Sequence, residues 1–216
     1  QEQALYKVLK DTIIASRNIC FEGDGYSEEW KQEATRRGLT NICHVPEAIM
    51  QFNSPQSRNV LLGEKIFNEN ELTCRIEVEL EKYTKKVQIE SRILGDLAIN
   101  HIIPTAVIYQ NRLLENLRGL RETFSTEEYE ALGADRRELV KEIQQRILAI
   151  KQLVRNMIEA RKVANHLPSQ IEKAFSYADH VRPYLDEIRD HIDQMELEID
   201  DEIWPLPKYR ELLFNK

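Results

Sequence analysis

The stretch Gly23-Asp24-Gly25-Tyr26 is the first in this chain whose residue types suggest chemistry, because closely spaced glycines let a backbone approach a phosphate. It lacks the Gly-Lys-Ser/Thr of a phosphate-binding loop and the third glycine of a dinucleotide fingerprint, so it reads as a turn. The histidines, His44, His101, His166, His180 and His191, could ligate a metal or move protons, yet no HxxxH or repeated Glu-x-x-His spacing joins them. Glu187 and His191 stand one helical turn apart, the pattern of a surface pair before it is that of a metal site. His101 continues the apolar stripe of Leu94 and Leu97 and reads as a satisfied core histidine. Cys20, Cys43 and Cys74 show neither a CxxC spacing nor a nearby histidine pair, so they read as reduced thiols in the part of small buried hydrophobes. Carboxylates are many, but along the chain they alternate with Lys and Arg as solvated helix faces do, and no acid and base pair off. On this reading the chain holds no catalytic, cofactor-binding or metal-binding residue.

Composition narrows the classes further. The chain has 216 residues and 42% hydrophobic content, enough for a core, with only seven glycines and seven prolines. Leu, Ile, Glu, Lys, Gln, Arg and Ala dominate, and all of these but the β-branched Ile lose little freedom in a helix, which points to an all-α protein. The net charge of −7 is spread through pairs of both signs without a basic stripe, so nucleic acid is not an expected partner. No run approaches the length of a membrane span, and the opening QEQALYKVLKD has neither a basic start nor an apolar secretory core. A cytoplasmic location is the expectation.

The elements that would carry these residues fall into three parts, 1–66, 67–203 and 204–216. The first is irregular, with short helices cut by Gly23, Gly25, Gly38, Pro46 and Pro55. Ser27 is placed to cap a helix over about 27–37 that Gly38 closes in a left-handed conformation, and Pro46 opens another over PEAIMQF. In the second part Asn68 and Glu71 form a capping box, and Leu72, Ile76, Leu80, Tyr83, Val87, Leu94 and Leu97 then mark a seam with a longer gap around Glu90. Continued to about Arg118 this is a rod of roughly 75 Å, in which Pro104 removes a donor and is expected to introduce a kink.

A second run opens at the Ser125 to Glu128 box, is loosened at Gly133, and reads Val140, Ile143, Ile147, Ile150, Val154, Met157, Arg161, Ala164. A third starts at Ser169 and reads Ile171, Ala174, Ala178, Val181, Leu185, Ile188, Ile192, Met195, Ile199, with Pro183 off the seam. Long amphipathic helices joined by short breaks must fold back on one another, so the expected architecture is a stack of long antiparallel helices, a helical hairpin or bundle. A turn near residue 126 would set Glu90 level with Arg161 as a buried or half-buried ion pair fixing register. In the third part Trp204, Leu206, Tyr209, Leu212, Leu213 and Phe214 need a surface, on this chain or on a neighbour.

Four stretches carry a resemblance: CFEGDGYSEEWKQEATRRGL, HVPEAI, NENELTCRIEVELEKYTKKVQIESRILGDLAINHIIPTAV and EIDDEIWPLPKYRELLF. They resemble the C-terminal region of type III glutamine synthetases, with residues from about 110 to 195 matching mainly in helical character. The resemblance implies a parent enzyme that joins ammonia to glutamate through a γ-glutamyl phosphate, using ATP and a divalent metal, Mg or Mn. It also implies self-association in a ring-shaped homo-oligomer of two stacked hexamers. The residues that would hold glutamate, ammonia, ATP and metal belong to a region preceding this one, so none is carried over to a position here. QEQALYKVLKDTIIASRNI resembles the last helix of a catalytic domain, and the expectation is a truncated or processed piece, inactive alone, that contributes packing and assembly. The residues by themselves leave two other readings open: a stand-alone helical adaptor whose seam binds another protein's helix, and a bundle that binds a small regulatory ligand.

Overall fold

Side-chain caps open five of the described helices of this protein. The computed structural model describes residues 2–17 and 20–213, with the backbone alone at 209 and 210. The chain falls into two compact units, Gln1–Ala48 and Ile49–Lys216.

In the first unit, helix α1 (Glu2–Ser16) has no buried residue, and Leu5, Tyr6, Leu9 and Ile13 lie on its surface. Helix α2 (Glu28–Arg36) starts where the Ser27 side chain accepts a hydrogen bond from Trp30 N at 3.2 Å, which satisfies one of the unpaired donors of its first turn. It stops at Gly38, whose φ of 71° lets Leu39 N turn back to Ala34 O at 2.9 Å. The buried Ala34 and the Phe21 ring, 4.8 Å from that of Trp30, give this unit its packing. Helix α3 (Val45–Met50) then leads out of it.

The second unit opens with a 3-10 turn, Gln51–Asn53, and helix α4 (Pro55–Gly63), which Ser54 caps. Helix α5 (Glu69–Leu97) begins in the Asn68–Glu71 box, with both reciprocal hydrogen bonds made. Helices α6 (Ile103–Thr123), α7 (Thr126–Leu132), α8 (Ala134–Asn165), α9 (Gln170–Ser176), α10 (Arg182–Glu198) and α11 (Tyr209–Leu213) follow. The Ser125–Glu128 and Ser169–Glu172 boxes open α7 and α9. The all-α bundle expected from composition and periodicity is the fold observed.

Neither internal proline breaks its rod. Pro104 and Pro183 have no N–H, and each ring would press on the carbonyl four residues earlier. The chain widens to a π turn just before each, at Ala98–Ile102 and Tyr177–Val181. There Ile103 N donates to Ala98 O, and Arg182 N to Tyr177 O, five residues back. A widened turn takes the place of a break at Pro104, so α5 and α6 run on as one rod. The second π turn shifts the seam of the third run, so the fully buried side chain is Tyr177 and Ala178 is only half-buried.

The rods pack antiparallel in sequence. Gln110 Nε2 on α6 donates to Val140 O on α8 at 3.0 Å, and Gly95 on α5 faces Val154 and Met157 on α8. From α8 the chain returns along α9 and α10, where Arg146 meets Glu198 at 3.3 Å and Tyr177 meets Asn165. The main core joins Ile102 and Ala106 to Ile143, Ile150 and Met157, and these to Ile188 and Met195. Removing one of the Ile or Met side chains from water stabilises by about 1.5–3 kcal/mol, which is why the stripe and not local propensity fixes the bundle. A second core gathers Leu72, Ile76, Leu80 and Ala174 with the partly buried Ile49, Leu61 and Phe67. Tyr83 is half-buried against both.

Three sequence expectations are corrected here. The seam of α5 crosses its gap through the fully buried Ser91, so Glu90 turns to solvent and no ion pair joins it to Arg161. Arg161 remains half-buried in the α8 seam with its Nε unpartnered. His101 is exposed, because the stripe runs through Ala98 and Ile102 to either side of it. All three cysteines are exposed free thiols. Cys74 lies between buried Leu72 and Ile76 and so points from the opposite side of α5, while Cys20 and Cys43 sit outside helices.

In the tail, Trp204 is buried in the main core and Ile203 and Leu206 pack against it, whereas Leu212 and Leu213 stay exposed. Phe214 and the Tyr209 side chain lie outside the described residues.

Candidate functional site

The structure spreads apart the residues whose types could do chemistry. Gly23 to Tyr26 form a turn in which Tyr26 N donates to Asp24 Oδ1 at 2.9 Å and Ser27 N to Asp24 O at 3.1 Å. Two of its donors are thereby used within the turn, and a Cβ at Gly23 would strike the Phe21 ring at 2.7 Å, so this glycine serves a close internal contact. Among the described residues, no three His, Cys, Asp or Glu side chains stand close enough to hold a metal ion. Glu187 and His191 flank a shallow hollow of about 410 Å³ between α8 and α10, shared with Asp190 and Gln152. His166 Nδ1 lies 2.6 Å from Lys162 O, a contact within the last turn of α8.

An open groove of about 750 Å³ lies on the outer side of α5, lined by Phe67, Cys74, Arg75, Val78 and Lys82 among others. Its charged groups have other engagements: Glu71 completes the capping box, the Arg75 guanidinium lies over the Phe67 ring at 4.9 Å, and Lys82 pairs with Glu79 at 2.7 Å. What this groove presents is hydrocarbon edged with satisfied charge.

Displaced pKa values point the same way, since each has a structural cause. Hydrogen bonds from Arg36 and then Arg37 hold the Glu33 carboxyl down to about 2. The Ser125 hydroxyl and backbone lower Glu128 in its capping box. Glu29 is lowered by its own backbone N–H and then by Ser27, at the start of α2. Burial raises Tyr83, opposed by the charge of Arg182. Glu29 and Glu128 thus stand at helix starts, Glu33 bridges turns at the end of one helix, and Tyr83 is shifted by burial within α5.

Polar contacts that sequence reasoning missed gather at the end of α10. Arg112 reaches Asp200 at 3.1 Å, Arg146 reaches Glu198, and Lys208 folds back to the last turn of the helix. Only chain reversal in three dimensions brings them together, and no spacing in the sequence announces it.

With the geometry in place, comparison with known proteins decides the family. A family model described as the glutamine synthetase C-terminal domain matches residues 4–121. The chain belongs to that family. It is 71% identical over all 216 residues to a glutamine synthetase of Bacteroides fragilis (strain YCH46), covering 100% of this chain and 30% of the relative. A type-3 glutamine synthetase of Dictyostelium discoideum is 28% identical over 228 aligned residues, covering 99% of this chain and 29% of its own length. A glutamine synthetase of Butyrivibrio fibrisolvens is 26% identical over 214, with 99% and 30% covered. The chain thus spans about three tenths of the length of the relatives it matches. The resemblance drawn from the four sequence stretches is borne out. Among the described residues no helix is long and apolar enough to cross a membrane.

Proposed function

We propose that this chain is the C-terminal helical part of a cytoplasmic type III glutamine synthetase. The parent enzyme ligates ammonia to glutamate at the expense of ATP, with a divalent metal in a region outside these residues. The helical part contributes packing and assembly, within a ring-shaped oligomer of two stacked hexamers, and carries no active site of its own. The observation that carries this reading is the 71% identity, sustained over every residue, to a much longer glutamine synthetase. The distribution of side chains supports it: the apolar stripes join rods, and the lowered carboxyl groups of Glu33 and Glu128 belong to an ion-pair cluster and a helix cap. Exposed apolar residues along α1, with no side chain of that helix buried, suit a segment that completes its packing on more protein.

Two measurements test the reading together. The 216-residue chain alone is expected to form no glutamine from glutamate, ammonia and ATP, and turnover by it would overturn the inert part of the proposal. The full-length enzyme lacking residues 68–213 is expected to lose its large assembly in light scattering. An oligomer of unchanged mass would remove the assembly role.

A further inference from the structure

The end of α10 is unusual in what closes it. The last carbonyls of a helix have no donors within it and carry partial negative charge. Here Ile199 leaves in an extended conformation, and Asp200 folds a tight turn, accepting from Glu202 N at its Oδ1 (3.0 Å) and from Ile203 N and Trp204 N at its carbonyl (3.1 Å each). Trp204 goes into the core, and Pro205 and Pro207 fix the backbone on either side of Leu206. The chain thereby returns to α10, where Lys208 Nζ donates to Glu196 O at 2.6 Å, to Ile199 O at 3.4 Å and to Asp201 Oδ1. The Trp204 ring centre lies 5.8 Å away.

An alkylammonium group has three N–H donors and no acceptor. Three acceptors of matching kind converge on it here, two of them main-chain carbonyls at the negative end of a helix, and an aromatic face stands on another side. The Lys208 side chain is only 15% exposed, so water competes weakly for the charge. We propose that this elbow is a built site for a primary ammonium group, which the chain fills with its own Lys208, and that this charge holds residues 199–208 against the end of α10. Hydrocarbon contact by the lysine stem is secondary. The latch also sets the direction in which α11, with exposed Leu212 and Leu213, leaves the bundle.

Hydrogen exchange in the full chain tests this. Lys208→Met keeps the stem without the charge, and Lys208→Ala empties the cradle. Both are expected to speed exchange of peptides spanning 199–206 by about tenfold or more, the weight of one or two charge-assisted hydrogen bonds, while α8 amides report an intact bundle. In Lys208→Ala, n-propylammonium replaces the missing atoms and is expected to restore slow exchange, whereas tetramethylammonium, which has no N–H, leaves it fast. Unchanged exchange in Lys208→Met would overturn the proposal. So would equal effects of the two cations on Lys208→Ala.

Discussion

The Tyr177 hydroxyl donates a hydrogen bond to Asn165 Oδ1 at 2.8 Å, tying the last turn of α8 to the π turn that follows α9. Tyr177 is fully buried, so its ring anchors the core while its one polar atom reaches the rim. Tyr177→Phe removes the hydrogen bond and keeps the ring, and is expected to lower stability by about 1 kcal/mol in urea unfolding. Tyr177→Ala also leaves a cavity and is expected to cost about 3–5 kcal/mol. Similar losses for the two would mean that the ring contributes little.

Two glycines should respond to the same substitution with opposite signs. Gly95 lies within α5, and an added Cβ would meet Met157 and Val154 at 3.5 and 3.6 Å, ordinary contact distances. Gly95→Ala therefore stabilises by about 0.5–1 kcal/mol, by restricting the unfolded chain. Gly38 has open space around it but a φ of 71°, so Gly38→Ala is expected to destabilise α2 by about 1–2 kcal/mol. Thermal unfolding of Gly95→Ala and helix content around α2 in Gly38→Ala check the pair, and a shared sign would contradict the account.

What was legible in the sequence was local. The boxes at Asn68–Glu71 and Ser125–Glu128 lie within four consecutive residues, and Ser27 and Gly38 bound α2 by rules that need no partner helix. Steps of three and four residues placed Ile143, Ile147, Ile150, Val154 and Met157 correctly in the core. Errors arose where burial was decided by something a hydropathy pattern does not carry. Ser91 is small enough to be buried with its Oγ turned to Gln88 O at 2.9 Å, so the seam passed through a polar residue and Glu90 was misplaced. One extra residue in a π turn moved Tyr177 inward. The Lys208 elbow needs a reversal over two prolines and a burying tryptophan, and its acceptors are backbone carbonyls that have no signature in residue type.

The corrected seam is itself testable at adjacent positions. Ser91→Asp places a carboxylate in the core with no partner and is expected to cost about 3 kcal/mol or more, since water is excluded there. Glu90→Ala changes an exposed residue and should stay within about 0.5 kcal/mol. Chemical unfolding of both variants reads the difference. A larger loss for Glu90→Ala than for Ser91→Asp would restore the interhelical ion pair that the structure removes.

Acid should act on α2 through Glu33. Arg36 Nε donates to Glu33 Oε2 at 2.6 Å, and Arg37 Nε bonds the other oxygen, so the folded carboxyl sits at about 2 against an ordinary 4.5. A depressed folded value means that folding binds the carboxylate form more favourably than the acid. The stabilisation is therefore present above pH 4.5 and is lost as pH falls through about 2. Salt weakens it, because these side chains are partly in contact with solvent. Carboxyl chemical shifts followed by NMR are expected to place the Glu33 midpoint near 2, and Arg36→Ala with Arg37→Ala to bring it up towards 4.5. A midpoint already near 4.5 in the unaltered chain would show that the two guanidinium groups do not hold that carboxylate in solution.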